Sequence, residues 1–195
     1  MPNNIEEKTD PIIEHNHDES KLGKGQYVFE LKNVTKNFKV RFQEINVLKG
    51  IDLKVGGGEL MVILGPSGSG KSTMLNIMLG LEPPSSGEVI FLGEDVSRAG
   101  EDHLADFRKN HVGMIHQQAN WIKSLSVLQN VAFPLLLHGV PKHEAMSIAR
   151  EKLRMINMEA WANFSPTELS SGQQQKISLA RSLVTDPHVI IADEP

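Results

Sequence analysis

The sequence predicts an α/β fold built on a parallel sheet, and three observations predict it. The apolar segment Glu59 to Leu64 runs straight into the glycine-rich stretch Gly65-Pro66-Ser67-Gly68-Ser69-Gly70-Lys71-Ser72-Thr73. Four apolar residues, Val189-Ile190-Ile191-Ala192, end on Asp193-Glu194. Between these two segments lies a long stretch whose apolar residues recur at helical spacing. Short apolar runs of this kind are strands covered on both faces, which is how parallel sheets are built.

The elements follow in order. Residues 1 to 25 are polar and acidic, with little to bury, and read as a weakly ordered tail. Tyr27 to Leu31 alternates as a strand, and a second strand covers Val47 to Val55, ending at Gly56-Gly57-Gly58. Glu59 to Leu64 is expected as a buried strand feeding the glycine loop. Lys71 to Leu79 is the helix after that loop, stopped by Gly80. Pro83 to Gly87 makes a turn before a strand at Glu88 to Leu92. Glu101 to about Phe164 is mostly helical, most clearly at Ala145 to Ile156, where Ile148, Ala149, Leu153 and Ile156 share a face. A last helix runs from about Gly172 to Val184, ahead of the strand Val189 to Ala192.

Composition narrows the function classes. With 39 % apolar and 23 % charged residues the 195-residue chain can fill one substantial core. A net charge of −4 argues against a nucleic-acid-binding face, which shows as a basic stripe. Without cysteine there is no disulfide framework and no thiolate metal site. No apolar run approaches the roughly 20 residues that span a bilayer, since the longest, Val131 to Val140, is broken by Pro134, His138 and Gly139. The N-terminus lacks the basic and apolar regions of a signal peptide.

The glycine stretch is a P-loop in its proper setting of strand, loop and helix. Gly68 and Gly70 let the backbone of the loop Gly65 to Thr73 pass close to phosphate, so that successive N–H groups point at its oxygens, Pro66 alone having none to give. The positive end of the following helix adds to the field. Lys71 supplies a charged donor to the outer phosphates, and Ser72 a hydroxyl ligand for Mg²⁺. Asp193 and Glu194 end a strand at the carboxyl edge of the sheet, where ligands of open α/β sheets sit. There Asp193 would hold Mg²⁺ and Glu194 would activate the attacking water.

A second motif, Leu169-Ser170-Ser171-Gly172-Gln173-Gln174-Gln175-Lys176, resembles the signature sequence of ABC-type ATPases. It is again a helix N-terminus: Ser170 and the Gly172 N–H can donate to an anion, with the helix dipole from Gln173 behind them. The resemblance runs from about Tyr27 to the end of the chain. It implies a P-loop NTPase core with a parallel sheet, a small antiparallel β subdomain and an inserted helical subdomain at about 118–170. It implies a homodimer in which Ser170, Gly172 and Gln173 of one subunit meet the γ-phosphate held by the other's P-loop. Gln117 matches the family's glutamine that senses Mg²⁺ and γ-phosphate, with neighbouring Gln118 as a competing assignment that the preceding strand disfavours. Phe38 matches the aromatic that stacks on adenine, against the alternative of a core phenylalanine.

This chain departs from the family pattern in places. Ser171 replaces a glycine, His116 an aromatic and Lys176 an arginine. The chain stops at Pro195, ahead of the family's D-loop and switch histidine. An incomplete copy, binding ATP but hydrolysing it poorly alone, is the expectation. Within the family, the segments Lys32 to Lys39, Thr73 to Ile77 and Leu128 to Pro134 look most like the lipoprotein-release and macrolide-export branch. That likeness implies a peripheral ATPase on the cytoplasmic face of the inner membrane, driving an integral membrane permease. The segment Trp121 to Leu137 would receive the permease helix, or its apolar residues are simply core. The alternative function is an ATP-dependent regulatory module of a membrane complex, of the cell-division type, that moves no cargo. A soluble ABC protein of DNA repair or translation needs a coiled coil or a second cassette, and neither is visible.

Overall fold

The structure, a computed structural model, describes residues 27–116 and 120–193. The acidic tail at 1–25, Gln117 and Glu194 fall outside them. The described residues form an antiparallel sheet, a parallel strand pair and a helical layer, with two hydrophobic cores.

The antiparallel sheet has the order β2-β1-β3-β4, with β1 at Tyr27–Val40, β2 at Gln43–Gly56, β3 at Ser86–Phe91 and β4 at Glu94–Asp95. The alternation at Tyr27 to Leu31 is only the first part of β1. The polar remainder, Lys32 to Val40, becomes strand because β2 pairs along it as far as Val40↔Gln43. Neighbouring backbone, rather than its own periodicity, completes that strand, with register shifts at Val34/Thr35 and Lys36/Asn37. Phe29 and Leu31 are buried and lie opposite Phe91 and Val89 of β3. The helix α1, Lys71–Met78, buries Met74, Ile77 and Met78 in the same core. It stops where predicted, with Gly80 in the left-handed region at φ 62°.

The second sheet pairs β5, Val112–Ile115, with β6, Val189–Ala192, in parallel from Val112↔Val189 to Ile115↔Ala192. The predicted strand at Glu59 to Leu64 does not form. It is extended but joins no ladder among the described residues, and Leu60 and Leu64 are 90 % and 87 % exposed. An apolar run becomes a strand only when a neighbour accepts and donates its backbone hydrogen bonds, and β5 and β6 pair with each other instead.

Helix α2, Glu101–His111, leads into β5 with acids in its first turn and bases in its last, matching its dipole. The helical layer holds α3, Val127–Leu137, α4, Lys142–Met155, and α5, Ser171–Leu183, with 3-10 turns at Glu159–Trp161 and Pro166–Glu168. Helix α3 begins later than Trp121, because Ser126 caps it: Ser126 and Gln129 form a reciprocal capping box. The core reading of α3 holds for Val127, Leu128, Val131, Ala132 and Leu135, all buried, while Leu137 is 60 % exposed. Asn130, buried among them, accepts from the Ile122 N–H at 3.0 Å and donates to the Ile122 carbonyl at 3.1 Å, latching the approach segment onto α3.

Candidate nucleotide-binding site

The phosphate loop lies open to solvent between Gly65 and Ser69, and α1 rises from its end. Gly70 is the N-cap of α1 at φ 93°, in the left-handed region, and no side chain caps the helix there. A Cβ at Gly70 would meet Leu48 Cδ2 at 3.0 Å and Val47 Cγ1 at 3.1 Å, so both conformation and space require glycine. Gly68 turns in the same region, at φ 78°. With no side-chain acceptor at the cap, the first-turn N–H groups, from Lys71 through Thr73, remain for an anion. Lys71 Nζ bridges back to the carbonyls of Gly65 and Pro66 at 2.9 and 3.1 Å. Its charge thus stands over the mouth of the cradle.

The fold brings Ser72 and Asp193 together across 121 residues of sequence, with Ser72 Oγ donating to Asp193 Oδ1 at 3.3 Å. Asp193 is placed by β6, whose pairing with β5 continues as Asp193 N–H to Ile115 carbonyl at 3.0 Å. A hydroxyl and a carboxylate side by side are the hard oxygen donors that Mg²⁺ takes beside phosphate. His116, which the sequence marked only as a departure from the family, stands at the same strand edge. Burial and the Arg181 charge push its pKa down, while Asp193 draws it back up, so it belongs to this electrostatic neighbourhood. A histidine one residue past an apolar strand end was the available signal.

The signature turn is a self-satisfied cap. Ser170 is the N-cap of α5, its Oγ accepting from Gln173 N–H at 3.3 Å, while Gln173 Oε1 accepts from the Ser170 N–H at 3.0 Å. The Ser170 hydroxyl also donates to that Oε1 at 3.1 Å. An anion at this terminus therefore competes with the Gln173 side chain for Ser170. Gly172 follows in the first turn with open space where a Cβ would stand. Phe38 lies on β1 opposite Ile45, on the hairpin that abuts Gly70 through Val47 and Leu48. Its half-buried ring faces Lys36 Nζ at 5.0 Å from the centroid, and Lys36 is buried, ion-paired with Glu82 and donating to the Pro83 carbonyl at 2.7 Å. Nothing in the bare sequence distinguished Lys36 from the surface lysines around it.

The family model described as ABC transporter matches residues 48–195. The chain belongs to the ABC transporter family. Within that family it is 38 % identical to a "Lipoprotein-releasing system ATP-binding protein LolD" of Chromohalobacter salexigens, over 92 % of this chain and 76 % of the relative. The LolD-named protein of Geobacter metallireducens is 41 % identical, over 86 % of this chain and 75 % of its own length. The ABC transporter cassette MJ0796, solved as a dimer, superposes with a TM-score of 0.79 at 40 % identity, covering 84 % of this chain and 72 % of that one. A second structure of MJ0796, in a post-hydrolysis state with ADP and Pi, matches equally. The chain is thus an ATP-binding ABC subunit and an ATPase, and the expected fold class stands: a P-loop core, an antiparallel β subdomain and a helical subdomain. No helix among the described residues is long and apolar enough to cross a membrane.

Proposed function

We propose that two copies of this subunit close head to tail around two ATP molecules, and that the cycle drives a membrane permease which extracts or exports its substrate. The observation that best supports this is the meeting of Ser72 with Asp193 beside an uncapped α1, an arrangement that suits the phosphate and Mg²⁺ side of such a site in each subunit. Ser72 and Asp193 would hold Mg²⁺, which neutralises charge on the phosphates when bound, with phosphate oxygens and water completing its shell. The cradle N–H groups and Lys71 bind and orient the phosphates. Glu194, one residue beyond Asp193, takes the proton of the attacking water, and Gln117 reports the γ-phosphate to the helical subdomain. Phe38 offers a ring face to adenine. Ser170, Gly172 and Gln173 close the site from the partner subunit.

The permease is of the lipoprotein-releasing or macrolide-export kind; the lipoprotein-releasing names of the relatives support the first of these, and the subunit would then work at the cytoplasmic face of the inner membrane. A groove of about 400 Å³ lies between the end of α3 and the α2, β5 and α5 surface, lined among others by Met114, Pro134, Leu137 and Arg181. An apolar groove with cationic flanks suits a short permease helix carrying an acidic residue.

The test is the Glu194→Gln variant of the whole protein, which removes the base and leaves binding intact. In saturating ATP and Mg²⁺ it should elute as a dimer in gel filtration, and as a monomer without nucleotide. A monomer under both conditions refutes the shared site.

A further inference from the structure

The signature turn is held in place by a relay that lies outside the nucleotide motifs. The indole N–H of Trp121 donates to Gln174 Oε1 at 2.8 Å, and Gln174 Nε2 donates to the Leu169 carbonyl at 2.9 Å. Leu169 immediately precedes Ser170, the N-cap of α5. Gln173 grips the other end of the same peptide group, accepting from the Ser170 N–H, from within the same helix. Two consecutive glutamines therefore hold the two polar ends of one peptide group, its carbonyl by Gln174 and its N–H by Gln173, and Gln174 carries the connection out of α5 to Trp121.

Trp121 is itself braced on two sides. The Arg181 guanidinium, two turns further along α5, lies 4.4 Å from the Trp121 ring centroid. Burial strips water from that guanidinium, which disfavours its charge and lowers its pKa, while the weaker screening strengthens the attraction of the charged group to the ring. The adjacent Ile122 is latched to α3 by Asn130. Trp121 thus bridges the approach to α3 and the start of α5. In sequence it stands four residues after Gln117.

Filling space would not require this arrangement. Trp121 is half-buried at the margin of a core that aliphatic side chains already fill, and its one polar atom is spent on the amide that orients Leu169. We propose that Trp121 is a positioning residue for closure of the two-subunit site, acting through Gln174 on the Leu169–Ser170 backbone. The inference rests on reading the Ser170 turn as the half-site that meets a partner's nucleotide. Hydrogen bonds to an anion weaken steeply with misalignment, so a turn released from Gln174 presents its donors less well.

The test uses the whole protein carrying Glu194→Gln, with ATP-driven dimerisation followed by gel filtration or light scattering. Trp121→Phe keeps a ring for Arg181 and removes the N–H, while Gln174→Met keeps the volume and removes both bonds. Each should raise the ATP concentration at half-dimerisation about five- to tenfold, the scale of one neutral hydrogen bond. The double variant should be no worse than the stronger single, because both changes cut one relay. ATP affinity of the monomer should be unchanged, a split that a general loss of folding would not produce. Should Trp121→Phe proteins dimerise like the parent, or should the two effects simply add, the relay does not position the turn. Ser170→Arg separates the two ideas: if it too leaves dimerisation intact, the shared-site reading itself is at fault. If Ser170→Arg abolishes dimerisation while the Trp121 and Gln174 variants do not, only the relay fails.

Discussion

Asn130 is a single side chain on which a whole segment depends. Its amide accepts from the Ile122 N–H and donates within reach of the carbonyls of Ile122, Leu125 and Ser126, all at 3.0 to 3.1 Å, and it is only 1 % exposed. Removing it leaves several backbone groups without partners at the edge of an apolar core, the costly side of the hydrogen-bond balance. Asn130→Ala should lower stability by about 2–4 kcal/mol, read from urea unfolding midpoints. A change below about 0.5 kcal/mol would mean that water enters and replaces the amide. Lys36 illustrates the same physics with a charge: buried, it is retained because Glu82 and the Pro83 carbonyl satisfy its ammonium.

Helices α2 and the entry to β6 meet through two imidazoles, His111 and His188, whose Nδ1 atoms are 3.2 Å apart. Burial first, and the neighbouring His188 second, push the His111 pKa below its ordinary value, while Glu94 partly offsets them. The folded protein therefore takes up a proton at His111 less readily than the unfolded chain does. The stability this leaves is complete above the unfolded value, about 6.5, and is lost as pH falls from there through the lower folded value. His116 is shifted in the same direction, so His111→Gln should reduce, and not remove, the loss of thermal midpoint between pH 7.5 and 5.5. An unchanged pH slope in that variant would clear the pair of any role. Close packing of neighbouring elements is equally demanding at Gly113 on β5, where a Cβ would come 2.4 Å from the Ser182 carbonyl oxygen of α5.

At the scale of the whole molecule, the segment before the phosphate loop sets three large exposed apolar side chains within five positions. Leu60, Val62 and Leu64 are 90 %, 69 % and 87 % exposed, on extended backbone that joins no ladder among the described residues. Such a segment is a template for another chain's backbone and a patch for its apolar side chains. The Leu60→Lys, Val62→Lys double variant of the 195-residue chain should therefore scatter less light on slow heating than the parent. If aggregation starts at the same temperature and proceeds at the same rate, the sticky surface is elsewhere. The two cores meet different needs: one lies between the antiparallel sheet and α1, the helix that follows the loop, the other inside the helices that carry the Ser170 turn.

The phosphate loop, the α1 stop at Gly80, the cap at Ser170 and the strand at Val189 to Ala192 were legible in the residues, because glycine conformation, capping chemistry and apolar runs act over a few positions. The same local reading misjudged Glu59 to Leu64, the full length of β1 and the start of α3. The first two depend on which backbone lies alongside, and the third on a capping box inside a segment that looked helical throughout. Only the tertiary structure could bring Ser72 to Asp193, Lys36 to Glu82 and Trp121 to Gln174. Those pairs join distant parts of the chain through sheet and helix packing, and no periodicity within either partner specifies the other.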